Sequence, residues 1–293
     1  MSDVVRIAAR ADDRPPGDSH VHSQFSWDTD TGDMAATCAR AVELGLPYVA
    51  FTEHLELTDV VLREHEVAML PERFGVHVGD DLVLRAPALD VEGYLASVEE
   101  CRQRFGGLTI LSGLEISEPH WHADAVAAVL ASGRFDRVLG SLHSLQARGG
   151  ATEVGLLLAE QGAEQAVRDY LAEAYRLATS AAPVAVLAHV DYPVRAWQRL
   201  RTDPFDPLPF ADEYRDLLTA LAASGRALEL NTVVPLHELV LRWWHDCGGR
   251  EITFASDAHR PDALARGWAD AAALARACGF RPSADPLRPW TRA

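Results

Sequence analysis

The chain has 293 residues, 24 % charged and 48 % hydrophobic, with a formal net charge of −16. That length suits two small domains or one α/β barrel, and no apolar run approaches the ~20 residues of a membrane span. The acidic balance opposes nucleic-acid binding, which depends on neutralising phosphates with Lys and Arg, and this chain has no lysine at all.

The start, residues 1–14, mixes arginines with aspartates and lacks the apolar core of a signal peptide. Four cysteines (Cys38, Cys101, Cys247, Cys278) stand apart without a Cys-x-x-Cys pair, arguing against a disulfide frame and against thiolate-bound zinc. A reducing cytoplasm is the expected compartment.

Asp18-Ser-His20-Val-His22 reads as the first strand. Side chains on a strand alternate faces, so His20 and His22 project to the same side and can grip one metal ion. Two imidazoles do not complete a coordination shell, so a metal reading requires ligands from elsewhere; otherwise these are two surface histidines. Asp33 then caps a predicted helix with Met34, Cys38 and Val42 at helical spacing and Gly45 as its stop. Tyr48 to His54 is the second strand, ending in Glu53-His54.

Residues at about 55–89 show no sustained periodicity and carry Pro71, Gly75, Gly79 and Pro87, which predicts an irregular excursion. Asp90 caps a helix with the apolar stripe Tyr94, Val98, Cys101 and Phe105. Leu108 to Glu115 is the third strand and delivers a carboxylate. Phe135 to His143 and Val184 to His189 both end on histidine, with a helix marked by Tyr170, Leu171, Ala174 and Leu177 between them. A helix with Tyr214, Leu217, Leu218 and Leu221 stops at Gly225. Ala227 to Thr232 and Glu251 to Asp257 supply two further strands around a helix holding Trp243-Trp244.

These seven strand–helix units, with mostly short connections and no linker, predict one α/β domain over residues 1–293, a parallel barrel or a near relative. In such barrels the chemistry sits at the C-terminal ends of the strands. His20, His22, His54, Glu115, His143, His189, Asp257 and His259 all fall at or just beyond predicted strand ends. The other six of the twelve histidines (His65, His77, His120, His122, His237, His245) fall in loops or helices, where solvated or hydrogen-bonded roles are the default. Eight N and O ligands exceed the needs of one ion, so a cluster is expected. Glu115 is the natural bridge, since a carboxylate can hold two cations ~4 Å apart, and two metals sharing a water produce a hydroxide nucleophile near neutral pH. The absence of cysteine ligands favours Zn, Mn or Fe.

Taken together, His20-x-His22 with Phe25-Ser-x-Asp28, Phe51-Thr-Glu-His54, Gly113-Leu-Glu115, Ser141-Leu-His143, Ala188-His-x-Asp191, Leu228-Glu-Leu-Asn-Thr232 and Ser256-Asp-Ala-His259 resemble the PHP (polymerase and histidinol phosphatase) family. Within it, the resemblance is to the monofunctional histidinol-phosphate phosphatases and spans nearly the whole chain. It implies a distorted (β/α)7 barrel with a trinuclear site, two or three divalent ions in all. By position it places a first metal on His20, His22, Glu115 and Asp257, a second on Asp28, His54 and His259, and a third on His143 and His189 with Glu115 bridging.

The implied chemistry centres on Glu115, Asp257 and His22, with Asp191 orienting His189 or donating a proton to the leaving oxygen. Arg195 and Arg148 are the expected phosphate ligands; Asn231 and Thr232 face the same mouth, and His122 of the loop His120-Trp-His122 is a candidate pocket wall. The implied activity is hydrolysis of a small phosphomonoester, first of all L-histidinol phosphate to histidinol and phosphate, with no nucleic-acid or membrane partner. Alternatives are a PHP phosphoesterase acting on another monoester or nucleotide, an amidohydrolase barrel, and a metal-stabilised regulatory PHP domain. An amidohydrolase often carries a carboxylated lysine, which a lysine-free chain excludes.

Overall fold

A computed structural model describes residues 15–293; residues 1–14, read above for an export signal, lie outside the described residues. Seven strands run parallel in chain order through one sheet: β1 (Asp18–Val21), β2 (Tyr48–Leu55), β3 (Thr109–Ser117), β4 (Arg137–Ser141), β5 (Val186–Leu187), β6 (Ala227–Asn231) and β7 (Glu251–Ala255). Two short antiparallel strands, Phe280–Arg281 and Trp290–Arg292, extend the sheet beyond β7. The sheet curls until its first and seventh strands meet: His22 N donates to Ala258 O at 2.9 Å and Asp257 N to His20 O at 2.9 Å. This junction brings the C-terminal ends of β1 and β7 side by side.

Local sequence explains the elements that hold this curl. Asp33 caps helix Met34–Leu44 through a bond from Ala36 N (2.8 Å), and Gly45 ends it at φ 67°, a left-handed value that glycine adopts without a steric cost. Asp90 caps Val91–Arg104 in the same way, through Gly93 N at 3.0 Å. That helix buries Tyr94, Val98 and Cys101 against the sheet, and each large side chain removed from water contributes about 1.5–3 kcal/mol.

The Tyr94 hydroxyl also accepts from Gly113 N and donates to Phe51 O, both at 2.7 Å, clamping β2 to β3. A Cβ at Gly113 would lie 2.6 Å from Arg137 O, so only glycine lets β3 and β4 approach this closely. The clamp fixes the register in which His54 pairs with Glu115 across the two strands.

The structure departs from the sequence reading in three places. First, the strand predicted over residues 184–189 is laddered only at Val186–Leu187, although Ala185 N→Val138 O and Ala188 N→Gly140 O, both 2.9 Å, keep the segment beside β4. Second, strands and helices do not alternate one to one. Two helices follow β4 (Val154–Gln161 and Ala163–Thr179) and two follow β5 (Tyr192–Leu200 and Ala211–Ser224). The architecture is an α/β fold on a curled sheet rather than a regular sevenfold alternation.

Third, the excursion is organised. It contains strands Val60–Val61 and Val83–Leu84 and four-residue helices Glu64–Val67 and Glu72–Gly75. Its strands join a hairpin, Ser144–Ala147 and Gly150–Glu153, in a separate four-stranded sheet. The hairpin turns at Arg148 (φ 54°) and Gly149 (φ 83°), the two positive values a tight hairpin turn requires. No helix among the described residues is long and apolar enough to cross a membrane.

Candidate metal centre

The strand ends converge on Glu115, which is fully buried. Its Oε2 lies 3.0 Å from His54 Nδ1, 3.1 Å from His20 Nε2 and 3.4 Å from His22 Nε2. Its Oε1 lies 2.6 Å from His189 Nε2 and 3.3 Å from His143 Nε2. Five imidazoles therefore surround one carboxylate. Asp257 Oδ1 stands 3.3 Å from His22 Nε2, and Asp28 Oδ2 is 2.9 Å from His259 Nε2 and 3.4 Å from His54 Nε2.

Potential ligand atoms gather within 4.8 Å of one another in four overlapping groups: His20/His22/Asp257, His20/Glu115/His189, His22/His54/His259 and His54/Glu56/His143. Eight of the nine residues expected as metal ligands fall in these groups, and Asp28 adjoins them through His54 and His259.

Sequence reasoning missed the residues that aim the ligands. His20 Nδ1 donates to Glu229 Oε2 (2.9 Å), His143 Nδ1 to Glu56 Oε1 (2.8 Å), and His22 Nδ1 to Ser26 Oγ (2.8 Å), which in turn donates to Glu53 Oε2 (2.6 Å). A proton held on Nδ1 leaves the Nε2 lone pair turned toward the cluster, the arrangement metal-bound histidines use. Glu56 and Glu229 had a signal: Glu56 is two residues beyond His54 and Glu229 two before Asn231, the period-two spacing of one strand face. Glu118 had none. It sits at φ 45°, outside any regular pattern, and accepts from the backbone of His143 (2.7 Å) and Ser144 (2.9 Å).

Burial and neighbouring charge compete across the site. Burial pushes the Glu115 carboxyl up, but His20, His54 and His143 outweigh it and hold Glu115 well below its ordinary range. Asp257 is likewise held low, by Arg195 and His20 against its burial. His143 is driven down by burial, yet Glu56 and Glu115 raise it to about 10. His189 and His22 are lowered, chiefly by burial.

Several of these polar atoms sit close to one another without forming hydrogen bonds. His54 Nδ1 and Glu115 Oε2, 3.0 Å apart, are both buried, and neither meets hydrogen-bond geometry with any partner; Asp28 Oδ1 and His189 Nδ1 are in the same condition. Orphaned buried donors and acceptors are rare and costly. Here they surround shared points among N and O donors, which fits divalent cations.

The other expected site residues divide. Arg195 lines a cavity of about 360 Å³ that opens over the cluster; its Nη2 donates to Asp257 Oδ2 at 2.7 Å, and its guanidinium lies 5.2 Å from the Tyr192 ring centre. Asn231 is buried behind the cluster, donating to Glu229 Oε1 at 2.9 Å. Arg148 and His122 do not line the cavity. The positive-φ turn directs Arg148 to Glu66 (2.8 Å) and Glu160, and His122 Nε2 bonds Thr58 Oγ1 at 2.8 Å.

Asp191 is buried at the start of helix Tyr192–Leu200, and burial raises its carboxyl to about 7. No hydrogen bond joins it to His189: the helix begins there, and both Asp191 oxygens and His189 Nδ1 are without partners. Asp257, at φ 51°, holds a left-handed conformation unusual for a residue other than glycine, a strain that clusters at functional sites.

Comparison with known proteins bears on the fold and the family. The chain is 24 % identical over 257 residues to a Thermotoga maritima protein named "Probable histidinol-phosphatase", covering 85 % of this chain and 87 % of that one. Its fold is similar, at a TM-score of 0.69, to the crystal structure of histidinol phosphate phosphatase from Lactococcus lactis complexed with Zn, L-histidinol and phosphate; the two are 22 % identical, with 90 % and 92 % of the chains covered. A family model for the PHP domain matches residues 18–233, from the first strand through β6. The chain belongs to the PHP domain family.

Proposed function

We propose that this chain is a metal-dependent phosphomonoesterase and that its substrate is L-histidinol phosphate, hydrolysed to histidinol and phosphate. The observation that carries the reading is Glu115 ringed by five imidazoles, with unsatisfied buried N and O atoms, at the floor of a cavity walled by Arg195. Two or three divalent ions, Zn, Mn or Fe, suit this donor set. His20, His22 and Asp257 would hold one, Asp28, His54 and His259 a second, and His143 with His189 a third, with Glu115 shared and Glu56 beside the third. Bound ions lower the pKa of water and polarise a phosphoryl oxygen.

The chain's own groups do the rest. Arg195, its Nη2 held by Asp257, presents a buried and unpartnered Nε for a phosphate oxygen. Asp191, buried at the start of the same helix, would attract that guanidinium in its ionised form and so help position it. Trp27, Phe74 and Tyr192 line the cavity and suit a flat ring, while Glu153 on the same cavity suits a cationic group. A ring, a cation and a phosphate are the parts of histidinol phosphate.

One observation favours a second reading. Arg199 lines the mouth one helical turn after Arg195 and pairs with no carboxylate among the described residues, which suits a phosphomonoester bearing a further anion. The test is a phosphate-release screen across small phosphomonoesters with metal-replete protein. The highest kcat/KM is expected on L-histidinol phosphate. Preference for a monoester with a second anion would install the alternative, and release from no compound would overturn both.

A further inference from the structure

Arg195, Asp257 and His259 line two adjoining cavities. The second, of about 300 Å³, is lined by Arg260 and Arg266 and not by Trp27 or Phe74. Three guanidiniums around so small a space stand out in a chain of net charge −16. The opposing acids are few. Asp257 Oδ2 holds Arg195 Nη2, and Asp262 Oδ1 meets Arg260 Nε at 3.0 Å in solvent, where such a pair is weak. No carboxylate pairs with Arg266 among the described residues.

The segment carrying these arginines is pinned rather than loose. Asp18, buried beneath it, accepts from Ser256 N at 3.0 Å and from Ala265 N at 3.2 Å, tying both ends of the loop to β1. Asp257 (φ 51°) and Ala265 (φ 55°) both hold left-handed conformations, which persist only when the surroundings enforce them. A backbone held this firmly keeps the two exposed arginines, Arg260 and Arg266, beside the cavity, and guanidinium donors suit a tetrahedral oxyanion.

We propose that this cavity is a second oxyanion site that takes inorganic phosphate, separate from the phosphoryl position over Glu115. Phosphate bound there lies next to the cluster but outside the cavity that would receive the organic part of the substrate. The proposal rests on the phosphatase reading for the source of the phosphate, though not for its binding.

The test is calorimetric titration of the metal-loaded protein with inorganic phosphate. Wild-type protein takes up two phosphates per chain. Arg260→Gln/Arg266→Gln loses the second, its affinity falling about tenfold or more, the effect expected of lost charge-assisted bonds. The control Arg176→Gln/Arg242→Gln removes the same charge from residues lining neither cavity and keeps both phosphates. A single phosphate in the wild type, or equal stoichiometry and affinity in all three proteins, would overturn the site. Because binding is read without turnover, a protein that releases phosphate from no monoester yet takes up the second phosphate would sink the phosphatase reading and leave this site standing.

Discussion

Glu229 lines neither cavity, yet the geometry makes it the residue on which His20 depends. It is fully buried, with Oε2 accepting from His20 Nδ1 at 2.9 Å and Oε1 accepting from His189 N at 3.0 Å and Asn231 Nδ2 at 2.9 Å. Three donors meet one carboxylate. In Glu229→Gln the shape survives, but one oxygen becomes an amide donor.

If that amide faces His189 N and Asn231, donors oppose donors. If it faces His20, the imidazole must move its proton to Nε2 and lose the lone pair aimed at the cluster. A buried donor left unsatisfied costs about 1–3 kcal/mol, and loss of such a supporting partner lowers metal affinity about tenfold to hundredfold. Chelator competition on zinc-loaded protein is therefore expected to show weakening of that size, with the fold retained by circular dichroism and activity recovering at saturating zinc. Wild-type zinc affinity in the variant would refute the inference that Glu229 fixes the His20 tautomer.

Further perturbations separate the roles assigned above. Arg195→Ala is expected to lower kcat/KM on the best phosphomonoester about tenfold to hundredfold, with metal content unchanged and Arg195→Lys intermediate, because lysine keeps the charge but not the paired donors; full activity in the alanine variant would make Arg195 an ordinary partner of Asp257. Glu115→Gln is expected to abolish activity and release bound metal, whereas His122→Ala, which removes only the bond to Thr58, leaves kcat within about twofold; equal losses would contradict the central place of Glu115.

Outside the cavity, burial pushes Glu173 up, but bonds from His120 (2.7 Å), Trp121 (2.8 Å) and Arg176 bring its carboxyl down from 4.5 to about 2. A depressed carboxyl contributes stability that is complete above its unfolded value and lost as pH falls through the folded one, at most about 3–4 kcal/mol here and less once solvent screening is counted. Thermal melts of Glu173→Gln should therefore fall below wild type by roughly 5 °C at pH 7 and converge with it between pH 4 and pH 2; a gap independent of pH would refute the charge-based account.

Much of the site is legible in the sequence because strand periodicity and strand ends are local signals. His20 and His22 are found by alternation along a strand, His54 and Glu115 by ending one, and their convergence follows from the parallel order of the strands. Alternation also reaches Glu56 and Glu229, but a carboxylate that serves by holding another ligand's Nδ1 proton looks like any strand glutamate until the partner is in place. Glu53, next to His54, points to the opposite face and serves Ser23 and Ser26 instead.

The second sheet was hidden for a different reason. Val60–Val61 and Val83–Leu84 are two residues long, too short to show a period; they ladder on each other, and Val60 alone pairs with the hairpin, at Ala151. The same hairpin decides Arg148, whose place in the positive-φ turn sends its side chain to Glu66 and Glu160 rather than to the phosphate position.

The central claim is that the strand ends bind a cluster of ions that acts as one unit in phosphate release. It is tested most directly by titrating metal-stripped protein with zinc while following single-turnover phosphate release from L-histidinol phosphate. The account predicts a rate that stays low through the first equivalent and saturates only at two or three equivalents per chain. Full activity at one equivalent, or without added metal, would contradict it.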